Sequence, residues 1–149
     1  MSAELSANVE LSFPMKRFLF FLLLSVCAIT CPASERANTV LIHPGEVIYV
    51  RFTQNKLKLK VSSAKKEIDE QAQVILSLTP GDSRKNEPVT LKVTNKFPLD
   101  LFYKAEVRSL SQKLESVMPV LPVVAEKISL ENFSPMIEEA ALFGFELKK

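Results

Sequence analysis

Glycine, histidine and tryptophan are scarce in this chain, which has three glycines, one histidine and no tryptophan. The glycines, Gly45, Gly81 and Gly144, lie far apart, so they cannot build the glycine-rich loop that cradles a phosphate group. The lone histidine, His43, has no Gly-x-Ser-x-Gly nucleophile elbow to work with, which argues against a Ser-His-acid hydrolase. These absences predict a protein that is not an enzyme and that binds no cofactor.

Cysteine is also scarce, and its two copies, Cys27 and Cys31, lie in or beside an apolar run at residues 18–29. A bacterial lipoprotein needs a small residue before the lipidated cysteine and a leucine-like residue earlier, and neither cysteine meets this pattern well. Lipid anchoring is therefore the less favoured alternative. Removal of this segment leaves no cysteine, which excludes a disulfide framework, a thiol nucleophile and a thiolate metal site in the mature chain.

The apolar run has the layout of a secretory signal peptide, predicted at residues 15–33. The basic residues Lys16 and Arg17 precede it and small residues follow it. Its roughly 12 apolar residues fall short of the roughly 20 that cross a bilayer, so no stable membrane span is expected after cleavage. The alternative is a buried apolar helix of a globular protein, and the basic start and the polar segment after the run argue against it.

Cleavage is predicted between Ala33 and Ser34, because Ala33 and the residue two positions before it are both small. Residues 1–14 precede the basic start and are interpreted as an upstream extension of the reading frame. Residues 34–149 then form one domain of ordinary size. A cysteine-free mature chain behind such a leader indicates export to a bacterial periplasm.

The positive and negative charges nearly balance, with 19 Lys and Arg against 17 Asp and Glu and a net charge of +2. This balance predicts no general attraction to nucleic acid or to membranes. Residues 56–61 alternate strictly between lysines and apolar residues, which predicts a half-buried strand with Lys56, Lys58 and Lys60 on its outer face. Lysines in this arrangement protect an open sheet edge. Alternatively, these lysines bind an anionic polymer or a lipid headgroup. The acidic residues at 67–70 offset much of the positive field of the lysines.

Prolines recur along the mature chain and separate short segments rich in Val, Ile, Leu, Phe and Thr. Strands are predicted at residues 39–43, 46–53, 56–61, 74–79, 89–94, 99–107, 128–133 and 140–147. The proline-broken segment 117–125 suits an edge strand or an extended connector. About seven to nine short strands predict an all-β fold, a single antiparallel β-sandwich of immunoglobulin-like type, with a barrel as the alternative.

One stretch supports this architecture by similarity. Residues 91–107, with Asn95 and Pro98 at a bend between two strands, are followed by Pro119 to Pro122 and a final apolar strand. The pattern resembles small uncharacterised bacterial periplasmic proteins with an immunoglobulin-like β-sandwich. The resemblance implies that the Asn-x-x-Pro bend joins two core strands, and it implies no reaction.

The sequence favours a non-enzymatic periplasmic binding or assembly module. Its expected partner is another periplasmic or envelope protein that adds a strand to an open edge, either at residues 56–61 or at residues 119–125. The alternative function is a copper carrier or chaperone that uses His43 with the soft thioether ligands Met118 and Met136. A fimbrial-type chaperone would need a groove between two domains, for which the chain is too short.

Overall fold

The computed structural model describes residues 38–109 and 114–149, and within these residues it contains strands and turns but no helix. All of them belong to one compact unit. The predicted upstream extension at residues 1–14 and the predicted signal peptide at residues 15–33 lie outside the described residues. The same holds for the predicted cleavage site at Ala33 and Ser34.

The described residues form nine β-strands. They are β1 (Val40–Ile42), β2 (Val47–Asn55), β3 (Lys58–Lys65), β4 (Val74–Thr79), β5 (Val89–Asn95), β6 (Asp100–Ser109), β7 (Leu114–Met118), β8 (Ile128–Phe133) and β9 (Glu139–Lys148). Most of these strands are short and bounded by turns, as the spacing of the prolines predicts. The all-β prediction is confirmed.

All nine strands join one antiparallel sheet, which curls into a half-barrel. The order across it is β7-β6-β9-β3-β2-β4-β5-β8, and β1 pairs with β9. Two register shifts, one between Arg51 and Phe52 on β2 and one between Phe102 and Lys104 on β6, interrupt the ladders. Bulges of this kind bend a strand and increase its twist, which promotes curling of the sheet.

The core lies on the concave side of the sheet because apolar residues alternate with polar ones along the central strands. On β5 the alternate positions Val89, Leu91 and Val93 are buried, and the intervening threonines and lysine face outwards. An aromatic cluster joins the two halves of the half-barrel, since the ring centroids of Phe52 on β2 and Phe145 on β9 lie 5.0 Å apart.

One strand prediction is wrong in its bounds and in its place in the sheet. Lys56 lies in the turn between β2 and β3 with a φ of 57°, and β3 extends to Lys65, beyond the predicted end at residue 61. The strand that carries Lys58 and Lys60 is not an outer edge, because it pairs with β2 on one side and with β9 on the other. Its contact with β9 is the pair Lys58 and Glu146.

The proline-broken segment 117–125 is divided between the two alternatives that the sequence left open. Val117 and Met118 belong to the outer strand β7, and residues 119–125 form an extended connector. Residues 119–127 join β7 to β8, and within them only Val123 forms a β-bridge, with Leu101 of β6. Val123 is buried, so at this bridge the segment lies beside β6 and contributes one side chain to the core. The strands at the two ends of the described sheet order are β7 and β8, and the three-residue β1 also has a single paired neighbour, β9.

Candidate functional site

The strand β8 ends the sheet on one side and exposes apolar side chains there. Ile128 is 55% exposed and Leu130 is 63% exposed. β8 pairs with β5, and β5 pairs with β4 on its other side. Asn132 follows at the next outward position, and its side chain accepts a 2.9 Å hydrogen bond from the hydroxyl of Thr90. Exposed aliphatic side chains on an outer strand are the feature that natural edges normally avoid.

No strand among the described residues pairs with the outer side of the β8 main chain at the same three residues. The amide of Asn95 donates a 2.9 Å hydrogen bond to the carbonyl oxygen of Lys127. This bond identifies which residues of β8 form backbone hydrogen bonds with β5. In an antiparallel pair, residues that bond to the neighbour alternate with residues whose N–H and C=O groups point away from it. Ile128, Leu130 and Asn132 are the outward ones, and we call this side of the strand the β8 edge.

The opposite face of β8 carries polar side chains at Ser129 and Glu131, opposite the apolar Val93 and Leu91 of β5. Glu131 faces inwards and accepts hydrogen bonds on Oε1 from the amide of Leu121 at 3.0 Å and from the hydroxyl of Ser129 at 3.4 Å. Its charge adds to the effect of burial on Tyr103 of β6, and burial raises the pKa of that phenol far above its usual range. Within the described residues the Tyr103 hydroxyl has no hydrogen-bond partner.

The connector that leads into β8 is held firmly. The side-chain amide of Asn95, itself buried, donates to the carbonyl oxygens of Leu99 at 2.9 Å and of Val123 at 3.1 Å. Asp100 accepts a 2.9 Å hydrogen bond from the amide of Ala125. Because these contacts fix both the bend after β5 and the connector, the β8 edge is presented in a defined position.

The other outer strand, β7, is shorter and ends at Met118, directly before Pro119. Its partner is β6, with Val117 opposite Glu106. Val117 is 64% exposed. The proline stops the ladder because it has no N–H to donate, so β7 offers a shorter edge than β8.

The lysines predicted to protect an edge lie elsewhere. Lys56, Lys58 and Lys60 are exposed, in or beside the turn between β2 and β3, far along the sheet order from β8. The backbone of this strand is also covered on its second side, since Asn38 donates to the carbonyl oxygen of Leu59 at 2.9 Å and accepts from the amide of Val61. These lysines form a solvated face beside a paired strand.

The structure separates the three candidate metal ligands into two places. His43 lies after β1, where its Nδ1 is 3.1 Å from the carbonyl oxygen of Glu138 and its Nε2 is 3.7 Å from a carboxylate oxygen of Glu139. Met118 and Met136 instead line one cavity of about 140 Å³, together with the serines Ser109, Ser116 and Ser134, and His43 is not among its lining residues.

Within the described ranges, no group of three or more His, Cys, Asp or Glu side chains is placed to hold a metal ion. The same part of the chain contains no helix with the length and apolar character that crossing a membrane requires.

Compared with protein-family models, with curated proteins and with solved structures, the chain matches none.

Sequence reasoning predicted the strand at residues 128–133 but did not recognise it as a site. Ile128 and Leu130 alternate with Ser129 and Glu131, and such alternation normally places the apolar residues inside. In the structure it is inverted, because Glu131 faces the concave side and the two aliphatic residues are exposed. The inversion depends on which strand lies next to β8, and the sequence of β8 alone does not contain that information.

Proposed function

We propose that the chain is exported to the bacterial periplasm by the leader at residues 15–33, with cleavage between Ala33 and Ser34. The remaining domain is then a variant of the antiparallel immunoglobulin-like sandwich in which the sheet stays continuous. It acts without catalysis as a binding or assembly module. Its partner is an extended, largely apolar segment of a periplasmic or envelope protein that adds a strand to the β8 edge.

The observation that carries this proposal is the coincidence of open main chain and exposed apolar side chains at Ile128 and Leu130. An added strand would accept and donate backbone hydrogen bonds there, each contributing about 0.5–1.5 kcal/mol net. It would also cover the two aliphatic side chains, at about 25 cal/mol per Å² of apolar area removed from water. Ordering of the incoming strand offsets part of this gain, so we expect reversible binding.

Photo-crosslinking in living cells tests the binding role directly. A photoreactive residue at position 130 is expected to give a discrete crosslinked product, and the same residue at position 41 is not. Leu41 is the matched control because it is 49% exposed but lies on β1, a strand of only three residues that offers little main chain to an added strand. Absence of any product from position 130 contradicts the proposed function.

A second variant separates an edge interaction from simple surface adhesion. Leu130→Pro removes one outward N–H and leaves the ladder to β5 intact, because the amide of Leu130 points away from β5. We expect the product to be lost when Leu130→Pro is combined with a photoreactive residue at position 128. Persistence of the product would show that binding does not use main-chain pairing at this edge.

Export is tested independently of binding. N-terminal sequencing and the intact mass of the protein recovered from the periplasmic fraction are expected to show a chain that begins at Ser34. A chain that retains residues 18–29 without a lipid and is found in the cytosolic fraction contradicts the proposal.

A second candidate function, copper carriage, is favoured by the cavity that Met118 and Met136 share. Thioether sulfur is a soft ligand suited to Cu(I). The test is titration of the purified protein with Cu(I) against a competing chelator, with Met136→Leu as the variant and the exposed Leu121→Met as a control for added sulfur. Equal Cu(I) affinity of the parent and Met136→Leu would dismiss this function.

A further inference from the structure

We propose that the strand which occupies the β8 edge is β8 of a second copy of this chain, antiparallel and related by a twofold axis through Ser129. This inference rests on the proposed function, because it uses the same edge and names the partner. The resulting dimer joins two half-barrels into one continuous sheet. Such an interface is isologous and therefore closed, so pairing through β8 ends at two copies.

The main chain of β8 is self-complementary in this arrangement. An axis at Ser129 places Ile128 opposite Leu130 of the second copy, and both residues have their N–H and C=O groups on the outer side. Each such pair exchanges two hydrogen bonds, and the axis generates the pair twice. The two exposed aliphatic side chains of the edge, Ile128 and Leu130, then cover each other on the convex face.

The charges favour this register over its neighbours. An axis at Ser129 sets Glu131 opposite Lys127 of the second copy, again twice. An axis at Glu131 would instead place two carboxylates opposite each other, and like charges directly opposite destabilise a sheet. An axis at Leu130 would place Ile128 opposite the polar Asn132 and would leave the carboxylate facing Ser129.

The two charged side chains are available for this contact. The hydrogen bonds of Glu131 within the described residues both fall on Oε1, so Oε2 can accept from the second copy. Lys127 is exposed and makes no ion pair with any described residue. Alternation along the strand puts Lys127 on the same face as Ser129 and Glu131, as the contact requires.

Sedimentation analysis of the purified protein over a concentration series tests the dimer. We expect a reversible monomer–dimer equilibrium whose dissociation constant rises at least tenfold in Lys127→Glu, because two attractive pairs become repulsive. Lys92→Glu is the control, since Lys92 is an exposed lysine on the adjacent strand β5 and the substitution changes the net charge equally. A single monomeric mass at every concentration, or equal effects of the two variants, overturns the inference.

Disulfide crosslinking tests the register. Ser129→Cys lies on the proposed axis at a non-hydrogen-bonded pair, where the Cα atoms are about 4.5 Å apart and a disulfide can form. Leu130→Cys faces Ile128 instead and is expected to crosslink at least tenfold more slowly under the same mild oxidation. The unsubstituted mature protein, which has no cysteine after cleavage before Ser34, is the control and is expected to give no crosslink. Faster crosslinking of Leu130→Cys would overturn the proposed axis.

The photo-crosslink from position 130 distinguishes the two proposals. A product with twice the mass of the chain supports the second copy as partner. A product with a different partner mass, together with a monomeric protein in sedimentation, overturns this inference and leaves the proposed function standing. The absence of any crosslinked product from position 130 contradicts both proposals.

Discussion

The side-chain amide of Asn95 donates a hydrogen bond of 3.1 Å to the carbonyl oxygen of Val123, which ties the end of β5 to the connector that leads into β8. Both the nitrogen and the oxygen of the Asn95 carboxamide are hydrogen-bonded, since the oxygen accepts a 2.9 Å hydrogen bond from the amide of Phe97. One buried side chain therefore shapes the bend between two strands and fixes the approach to the proposed binding edge.

Asn95→Ala is expected to lower the free energy of unfolding by about 2–3 kcal/mol, because it removes the side-chain partner of the Phe97 amide and of the Leu99 carbonyl oxygen. Urea denaturation measures the change. Asn132→Ala is the matched control, since that asparagine is exposed and its side chain accepts a hydrogen bond from the hydroxyl of Thr90 at the surface, and we expect a loss of at most about 0.5 kcal/mol. Equal losses in the two variants would contradict the anchoring role of Asn95.

Local pattern predicted the strands well and their neighbours poorly. The alternation of Val89, Leu91 and Val93, and the turn residues before and after them, predicted β5 almost to the residue. An Asn-x-x-Pro bend between two core strands was also expected, and Asn95 ends β5 shortly before Asp100 begins β6. These features depend on residues close in sequence, so the sequence contains them.

The order of the strands depends on distant residues and could not be predicted in the same way. β3 lies next to β9, more than eighty positions further along the chain, through the pair Lys58 and Glu146. That pairing places β3, which carries Lys58 and Lys60, inside the sheet order. β8 lies at the end of the same order. The candidate site was missed for this reason, because Ile128 and Leu130 look like ordinary core residues until their outer neighbour is known to be missing from the described sheet.

The ion pair between Arg51 and Asp69 predicts a specific acid sensitivity. The guanidinium donates two hydrogen bonds of 2.5 Å to the carboxylate, which lowers the pKa of Asp69 below its ordinary value. A lowered folded-state pKa stabilises the fold at pH values above about 4, and this stabilisation is lost as the pH falls through the folded-state pKa. Asp69→Asn is expected to be less stable than the parent at neutral pH and to lose less stability on acidification.

Urea denaturation at pH 7 and at several values below pH 4 measures this difference. Glu70→Gln controls for the loss of one negative charge, since Glu70 is an exposed neighbour outside the ion pair. We expect that control to retain the acid dependence of the parent. An unchanged acid dependence in Asp69→Asn would show that the ion pair does not contribute to it.

Gly81 permits a close approach of two main-chain segments. A Cβ atom at this position would lie 2.3 Å from the carbonyl oxygen of Glu87 and 2.7 Å from the carbonyl carbon of Pro88, both of which are backbone atoms. Gly81→Ala is expected to cost about 1–3 kcal/mol of the free energy of unfolding, because the loop must move to relieve the overlap. Gly144→Asn is the control, since its φ of 65° suits asparagine and its nearest neighbour is the side chain of Lys104 at 3.7 Å. A smaller cost for Gly81→Ala than for the control would contradict the close approach.

The buried phenol of Tyr103 predicts a gain of stability on removal of its hydroxyl. Only 7% of this residue is exposed, and in the described part of the chain its hydroxyl has no hydrogen-bond partner. Tyr103→Phe keeps the ring against Phe145, with a centroid distance of 6.3 Å in the parent, and removes the unpaired polar group. The free energy of unfolding at neutral pH is expected to rise by about 1 kcal/mol. A loss of stability would mean that the hydroxyl contributes favourably to the fold.

The same phenol links the β8 edge to alkaline pH. Burial raises the folded-state pKa of Tyr103, and the carboxylate of Glu131 raises it further. A raised folded-state pKa gives stability that is complete below about pH 10 and is lost as the pH rises through the folded-state pKa, because the unfolded chain ionises first. Tyr103→Phe should therefore lose less stability between pH 9 and pH 11 than the parent, as measured by urea denaturation at these pH values, and equal losses would contradict this link.

Glu131→Gln is expected to bring the ionisation of Tyr103 to lower pH while leaving it above the usual range, because burial is the larger cause and the carboxylate the smaller one. The chain has two tyrosines, so Tyr49→Phe leaves Tyr103 as the single phenol for an absorbance titration. Glutamine keeps an oxygen that can accept the hydrogen bond from the amide of Leu121, so the connector should stay in place. Identical titration curves with glutamate and glutamine at position 131 would place the carboxylate too far from the phenol to act on it. That result would also contradict the inward orientation of Glu131 on which the outward orientation of Leu130 depends.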